Sequence, residues 1–169
     1  LLHQGGIRVD IIAGLVSELN SQVFARLWTF IAPVDLVRNS CLIVMGSEGR
    51  GEQILKTDQD NALLLRDGYT CALLSEVTQR FSDALLSFGY PRCPGGIMVT
   101  NPQWCRPLAS FKEAIRDWLY EPDADGPMHL AIFMDARAVA GDAGLLHEAR
   151  QHTARILSGS DALYARFAR

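Results

Sequence analysis

The chain has 169 residues, of which 49% are apolar and 21% charged, with a net charge of −3. That balance suits a globular domain with its own core and excludes a disordered chain. It also argues against general nucleic-acid affinity, which shows as a basic patch or stripe.

Apolar residues recur at steps of three or four through residues 7–30: Ile7, Ile11, Leu15, Leu19, Val23, Leu27 and Phe30. This spacing predicts a long amphipathic helix with that series as its apolar face. Pro33 ends it, and Asn20-Ser21 marks a potential kink. Residues 41–45, Cys-Leu-Ile-Val-Met, read as a buried strand closed by Gly46. The glycine-rich, polar residues 46–57 read as a loop, and residues 61–65 as a second strand stopped by the turn signal Asp67-Gly68. Residues 70–88 are helical in pattern, with Gly89 as the stop. Residues 93–99 look like a loop entering a third short strand. A helix is expected over 107–120, then an exposed acidic loop over 121–127. Residues 128–139 fit either strand or helix, and their length and alanines favour helix. A last helix covers 142–157. The expected architecture is α/β: one domain with a short sheet surrounded by helices.

Cys41, Cys71, Cys93 and Cys105 form no C-x-x-C pair, which speaks against a zinc or thioredoxin-like motif. Cys41 and Cys71 lie in apolar runs and read as buried thiols in a reducing, cytoplasmic setting. No apolar run approaches the roughly 18 residues of a membrane span, and no signal-peptide pattern opens the chain. A first residue other than Met fits a piece of a longer protein.

The chemistry concentrates in Gly46-Ser-Glu-Gly-Arg-Gly-Glu-Gln-Ile-Leu-Lys-Thr-Asp58-Gln-Asp60. In an extended chain, residues two apart project to the same side, so Asp58 and Asp60 form a carboxylate pair. Such a pair repels unless a cation sits between its members, and Mg2+ suits it because it leaves positions for phosphate oxygens. Gly46 and Gly49 allow backbone N–H groups close to an anion. Ser47 adds a hydroxyl, and Arg50 and Lys56 add positive charge for phosphates. Glu52 reads as a brace for the loop.

Three competing motifs fail on spacing. A P-loop needs Lys-Ser or Lys-Thr after its second glycine, but Glu52-Gln53 follow Gly51. A dinucleotide fingerprint needs its glycine gaps in the opposite order to 46, 49 and 51. An EF-hand loop counted from Asp58 would require an oxygen ligand at Ala62 and glycine at Leu63.

Gly-Ser followed by Asp-x-Asp, with ten residues between Ser47 and Asp58, resembles the DNA polymerase β-type nucleotidyltransferase signature. The fuller string is similar to a nucleotidyltransferase family found beside CBS and cyclic-nucleotide-binding domains in bacterial signalling proteins. That family is related to the protein-PII uridylyltransferases and glutamine synthetase adenylyltransferases. The likeness continues through Cys-Pro-Gly-Gly-Ile-Met (93–98), Trp-Cys-Arg (104–106) and the string at 133–142.

The resemblance implies a polymerase β-type fold, with residues 1–39 as an N-terminal helical segment and 40–169 as the nucleotidyltransferase domain. It implies Mg2+ or Mn2+ on Asp58 and Asp60 as the catalytic pair, with the triphosphate on Gly46 and Ser47. UMP or AMP would pass to a protein or small acceptor in signal transduction. A nucleotide-binding regulatory module with little turnover is the alternative. Such sites normally carry a third carboxylate on a later strand, expected near residues 96–100, where no acid stands. Asp135 is the weaker substitute, expected on a later helix and paired with Arg137. His129, His147 and His152 read as helix-surface residues, while Phe111 and Trp118 read as core. Gly95-Gly96 reads as a turn.

Overall fold

The computed structural model describes residues 9–46, 58–120 and 125–159. Its elements run α1 (Val9–Ile31), α2 (Val34–Arg38), β1 (Ser40–Val44), β2 (Asn61–Leu65) and α3 (Leu74–Ser87). There follow β3 (Cys105–Pro107), α4 (Leu108–Tyr120), α5 (Gly126–Met134), β4 (Arg137–Gly141) and α6 (Ala143–Ser158). The strands form one mixed sheet in the order β3-β2-β1-β4. β1 pairs antiparallel with both β2 and β4, and β3 lies parallel to β2. A mixed sheet flanked by helices is the architecture expected from the sequence, and it is consistent with a nucleotidyltransferase-type fold.

β1 and β2 are buried at every position, so each must be apolar on both faces, and the unbroken runs Cys-Leu-Ile-Val and Ala-Leu-Leu-Leu meet that need. Alternation along the strands then divides the core in two. Cys41, Ile43, Met45, Ala62 and Leu64 pack under α4, α5 and α6, against Phe111, Ile115, Phe133 and Leu146. Leu42, Val44, Leu63 and Leu65 pack on the other side, against Phe24 and Trp28 of α1, Leu36 of α2, and Phe81 and Leu85 of α3.

α1 is continuous through Asn20-Ser21, but it buries a different face from the one its spacing picks out. Ile11, Leu15, Leu19, Val23 and Phe30 are exposed, Phe30 to 87%. The buried face carries Ile12, Ala13, Ser17, Asn20, Phe24 and Trp28. The helix is apolar on two sides, and the ring pair at 24 and 28 decides between them. Phe24 meets Phe81 and Tyr90 edge-on, and Trp28 meets Phe81. Asn20, Ser17 and Ser21 find partners here, while the buried indole N–H of Trp28 has none among the described residues. Tyr90 Oη donates to Asn20 Oδ1 at 2.6 Å, and Arg137 donates to the hydroxyls of Ser17 and Ser21.

Two other boundaries differ from the sequence expectation. Residues 96–100 form turns, and the third strand is β3, ending with Pro107 on the sheet edge, where its missing N–H costs no ladder bond. The helix expected over 128–139 stops at Met134, and Arg137–Gly141 joins the sheet beside β1. Among the described residues, no helix is long and apolar enough to cross a membrane.

Candidate functional site

The site lies where β1 ends and β2 begins. Met45 N–H donates to Asp60 C=O at 2.9 Å, extending the β1–β2 pairing by one step and fixing the backbone of Asp60. The side-chain alternation of β2 carries back beyond its first residue. Gln59 turns toward the α1–α3 side, and Asp58 and Asp60 turn away from it.

Gln59 is fully buried and every polar atom of its amide has a partner. Nε2 donates to the carbonyls of Ser82 and Tyr90, and Oε1 accepts from the Ser82 hydroxyl at 2.8 Å. Its backbone N–H donates to Pro91 C=O, and it bridges in parallel to Arg92. One residue therefore anchors the stretch between the two acids to α3 and the segment that follows it.

Asn61 does similar service on the next turn of chain. Its backbone N–H donates to Ile97 C=O at 3.0 Å, and its Oδ1 accepts from Val99 N–H at 2.9 Å. These bonds hold residues 93–101 against the start of β2. Within that loop, Gly96 adopts φ +68°, its N–H donates to Cys93 C=O, and its own carbonyl accepts from Asn101 Nδ2. Gly95-Gly96 thus forms the turn its sequence suggests.

The result is a three-residue cluster. Ligand atoms of Asp58, Asp60 and Cys93 lie within 4.8 Å of one another, all on half-buried residues. Burial pushes the Asp60 carboxyl above its ordinary range; a hydrogen bond from the Cys93 thiol opposes this, and the charge on Asp58 adds to it. Burial likewise pushes the Cys93 thiol up, and its hydrogen bond to Asp60 reinforces the protonated form. Two acids and a thiol this close together are costly as anions and well suited to a divalent cation.

Gly46 makes room for this arrangement. It has φ +61°, and a Cβ there would stand 2.6 Å from Asp60 Oδ2. The glycine is needed both for the left-handed backbone and for the approach of the carboxylate. Gly46 was expected to approach phosphate; what the structure describes beside it is the Asp60 carboxylate. The donor set of two carboxylates and a thiol fits a bound cation.

The other expected site residues fall into two groups. Ser47, Gly49, Arg50, Glu52 and Lys56 lie outside the described residues. Asp135 follows the end of α5 and is not part of the cluster. Arg137, its expected partner, reaches the α1 hydroxyls. Cys93 was missed as a site residue, because cysteine spacing was weighed for thiol pairs and not for a thiol joining carboxylates 33 positions away (60 to 93). Its setting in Cys-Pro-Gly-Gly, a tight turn after a helix, was the available signal.

Cys41 is fully buried, its thiol pushed up to about 12 by that burial. Cys71 is only half-buried. Phe111 and Trp118 join Trp104 and Phe133 in one ring cluster, as core residues. His129 packs its ring on Trp104 and Trp118.

Compared with known families, the chain matches the family described as Putative nucleotidyltransferase DUF294 over residues 1–125. No curated protein and no solved structure is detectably similar to the chain.

Proposed function

The chain belongs to the DUF294 nucleotidyltransferase family, and on that premise we propose that Asp58 and Asp60 hold the divalent metal of a nucleotidyl-transfer site. The reaction passes UMP or AMP from a nucleoside triphosphate to a protein or small acceptor, in signal transduction. The observation that carries this reading is the cluster itself: an Asp-x-Asp pair at the start of a central strand, both acids turned to one side, with a glycine clearing the space beside Asp60.

The protein's own part is to hold two carboxylates at fixed spacing. Gln59 does this from behind through its bonds to α3, and the Met45–Asp60 bond does it from the neighbouring strand. Pre-set ligands require no reorganisation when charge develops. Mg2+ or Mn2+ on the pair would neutralise the negative charge that builds on the transferring phosphoryl group and its leaving pyrophosphate. Gly46 leaves the Asp60 oxygen facing the end of β1, where the chain enters the segment bearing Ser47, Arg50 and Lys56. Those residues supply the hydroxyl and cations for the triphosphate.

The test is pyrophosphate release from each of the four ribonucleoside triphosphates with Mg2+ or Mn2+, beside direct nucleotide binding. Release that disappears in Asp58→Asn and Asp60→Asn supports transfer. Metal-dependent nucleotide binding without release supports the second reading, a regulatory nucleotide-binding module; the thiol at the third position favours it, since a third carboxylate is missing from the cluster. No metal-dependent binding by the wild-type chain overturns both.

A further inference from the structure

The cluster contains one ligand type that neither a carboxylate pair nor a Mg2+ site calls for. We propose that Cys93 is the third metal ligand of the Asp58–Asp60 site, and that its sulfur makes the site select a thiophilic divalent ion, Zn2+ or Co2+, over Mg2+. This rests on the reading that the two aspartates hold a metal ion.

Placement is the first argument. Cys93 Sγ falls within 4.8 Å of ligand oxygens on both aspartates, although 32 residues and a whole helix separate it from Asp60 in the chain. The second argument is that its loop is built to stay there. Asn61, the residue next to Asp60, grips the loop twice, through Ile97 C=O and Val99 N–H. Gly96 and Asn101 close the turn around the Cys93 carbonyl. The loop that carries the thiol is thus tied to the strand that carries the carboxylates, as ligand-bearing segments must be if their geometry is to persist. Third, Cys93 differs from Cys41 and Cys105 in what its sulfur meets. Cys41 is sealed inside the sheet and Cys105 packs beneath α1–α3, both as small apolar side chains. Cys93 also packs on the core, at its α4–α6 side, but its sulfur lies within 4.8 Å of two acids.

On metal binding, the S–H bond breaks, the proton leaves to solvent, and a sulfur–metal bond forms; no electrons change hands. Softness then sets the preference. Carboxylates alone suit Mg2+, which asks for one or two of them and keeps its waters. A thiolate adds little for Mg2+ and much for Zn2+ or Co2+.

The experiment titrates the chain with Co2+ alone, then with Zn2+ and Mg2+ alone, following absorbance and heat. The wild-type chain is expected to show the thiolate-to-cobalt charge-transfer band in the near ultraviolet. Cys93→Ser is expected to lose that band and to bind Zn2+ at least about tenfold more weakly, the low end of what loss of a supporting partner costs a metal site. Its Mg2+ affinity should stay within about twofold, because both carboxylates remain. Cys93→Asp restores three hard ligands and should reverse the order in favour of Mg2+. Circular dichroism checks that each variant is folded, and Cys93→Asp carries the test if the serine variant is not. Cobalt bound without the band, a band that survives Cys93→Ser, or an unchanged Zn2+ to Mg2+ affinity ratio overturns the proposal while leaving the aspartate site standing. Absence of any divalent-ion binding by the wild-type chain overturns the aspartate site as well.

Discussion

The two ends of the β1–β2 pair use the same residue types for opposite purposes. At one end stand Asp67, Asp142 and Gly141. Asp67 Oδ1 accepts from Ala109 N–H at the start of α4, and Asp142 caps α6 through Gly144 N–H at 2.9 Å. Asp142 also pairs with Arg66 at 2.7 Å. These acids face donors and helix N-termini, where negative charge is favourable. At the other end stand Asp58, Asp60 and Gly46, and there the described group around Asp60 is an acid and a thiol. Both glycines have positive φ, but Gly141 makes room for the Ser40 carbonyl and Gly46 for a carboxylate. An acid that meets a donor holds the fold together. An acid that meets another acid asks for something the chain does not supply.

The comparison breaks most visibly in turnover. Asp58→Asn or Asp60→Asn is expected to lower pyrophosphate release by at least about 10²–10³-fold, the scale of losing a group that stabilises developing charge. Asp142→Asn, at the other end, should leave release within about twofold, since it touches nothing that reacts. Equal losses at both ends would remove the functional distinction.

The glycines sharpen it next. Gly141→Ala would drive a Cβ to 2.1 Å from Ser40 O and 2.9 Å from Val37 O. Both are backbone atoms that cannot swing aside, so urea unfolding should show a loss of about 2–5 kcal/mol. Gly46→Ala meets a side-chain carboxylate, which can turn. It should cost only about 1–2 kcal/mol in stability, from the backbone conformation, and show its main effect as weakened metal binding by calorimetry.

Gln59→Leu tests whether the acid pair depends on its buried anchor. The Ser82 hydroxyl and two carbonyls would lose their partner, at about 1–3 kcal/mol in urea unfolding, and metal affinity should fall with it. Asp142→Ala removes a helix cap and should cost about 1 kcal/mol, to which the exposed Arg66 pair adds little.

The smallest effect is one of sign. The folded-state carboxyl of Asp60 titrates above its unfolded value. Its share of stability is therefore present at low pH and lost as pH rises through the folded value. Asp60→Asn, which never ionises, should raise the melting temperature of the metal-free chain at neutral pH, while Asp142→Ala lowers it. A fall in both variants would show that burial of Asp60 carries no electrostatic cost.

Strands were legible where burial makes a continuous apolar run, so residues 41–45 and 61–65 stood out from their polar flanks. β3 was not, because three residues of Cys-Arg-Pro carry no period, and their place is set by pairing with Leu63–Leu65. β4 hid in an alanine-rich stretch whose strand character comes from β1 beside it. In α1 the periodicity was real but ambiguous, and ring contacts from α3 and Tyr90 chose the face. For the site, Asp58 and Asp60 showed because their relation is local, two residues on one extended stretch. Cys93 did not, because it reaches the acids only after α3 has folded back along the sheet.

Gln59 gives that last point a kinetic meaning. Its side chain closes loops to Ser82 and Tyr90, 23 and 31 residues away. Long loops of this kind close late, after local helix has formed. The acids therefore gain their spacing at the moment α3 docks, and lose it at the moment α3 leaves. Binding competence and the α1–α3 layer should melt in a single step, with no partly unfolded species able to hold an ion at full strength.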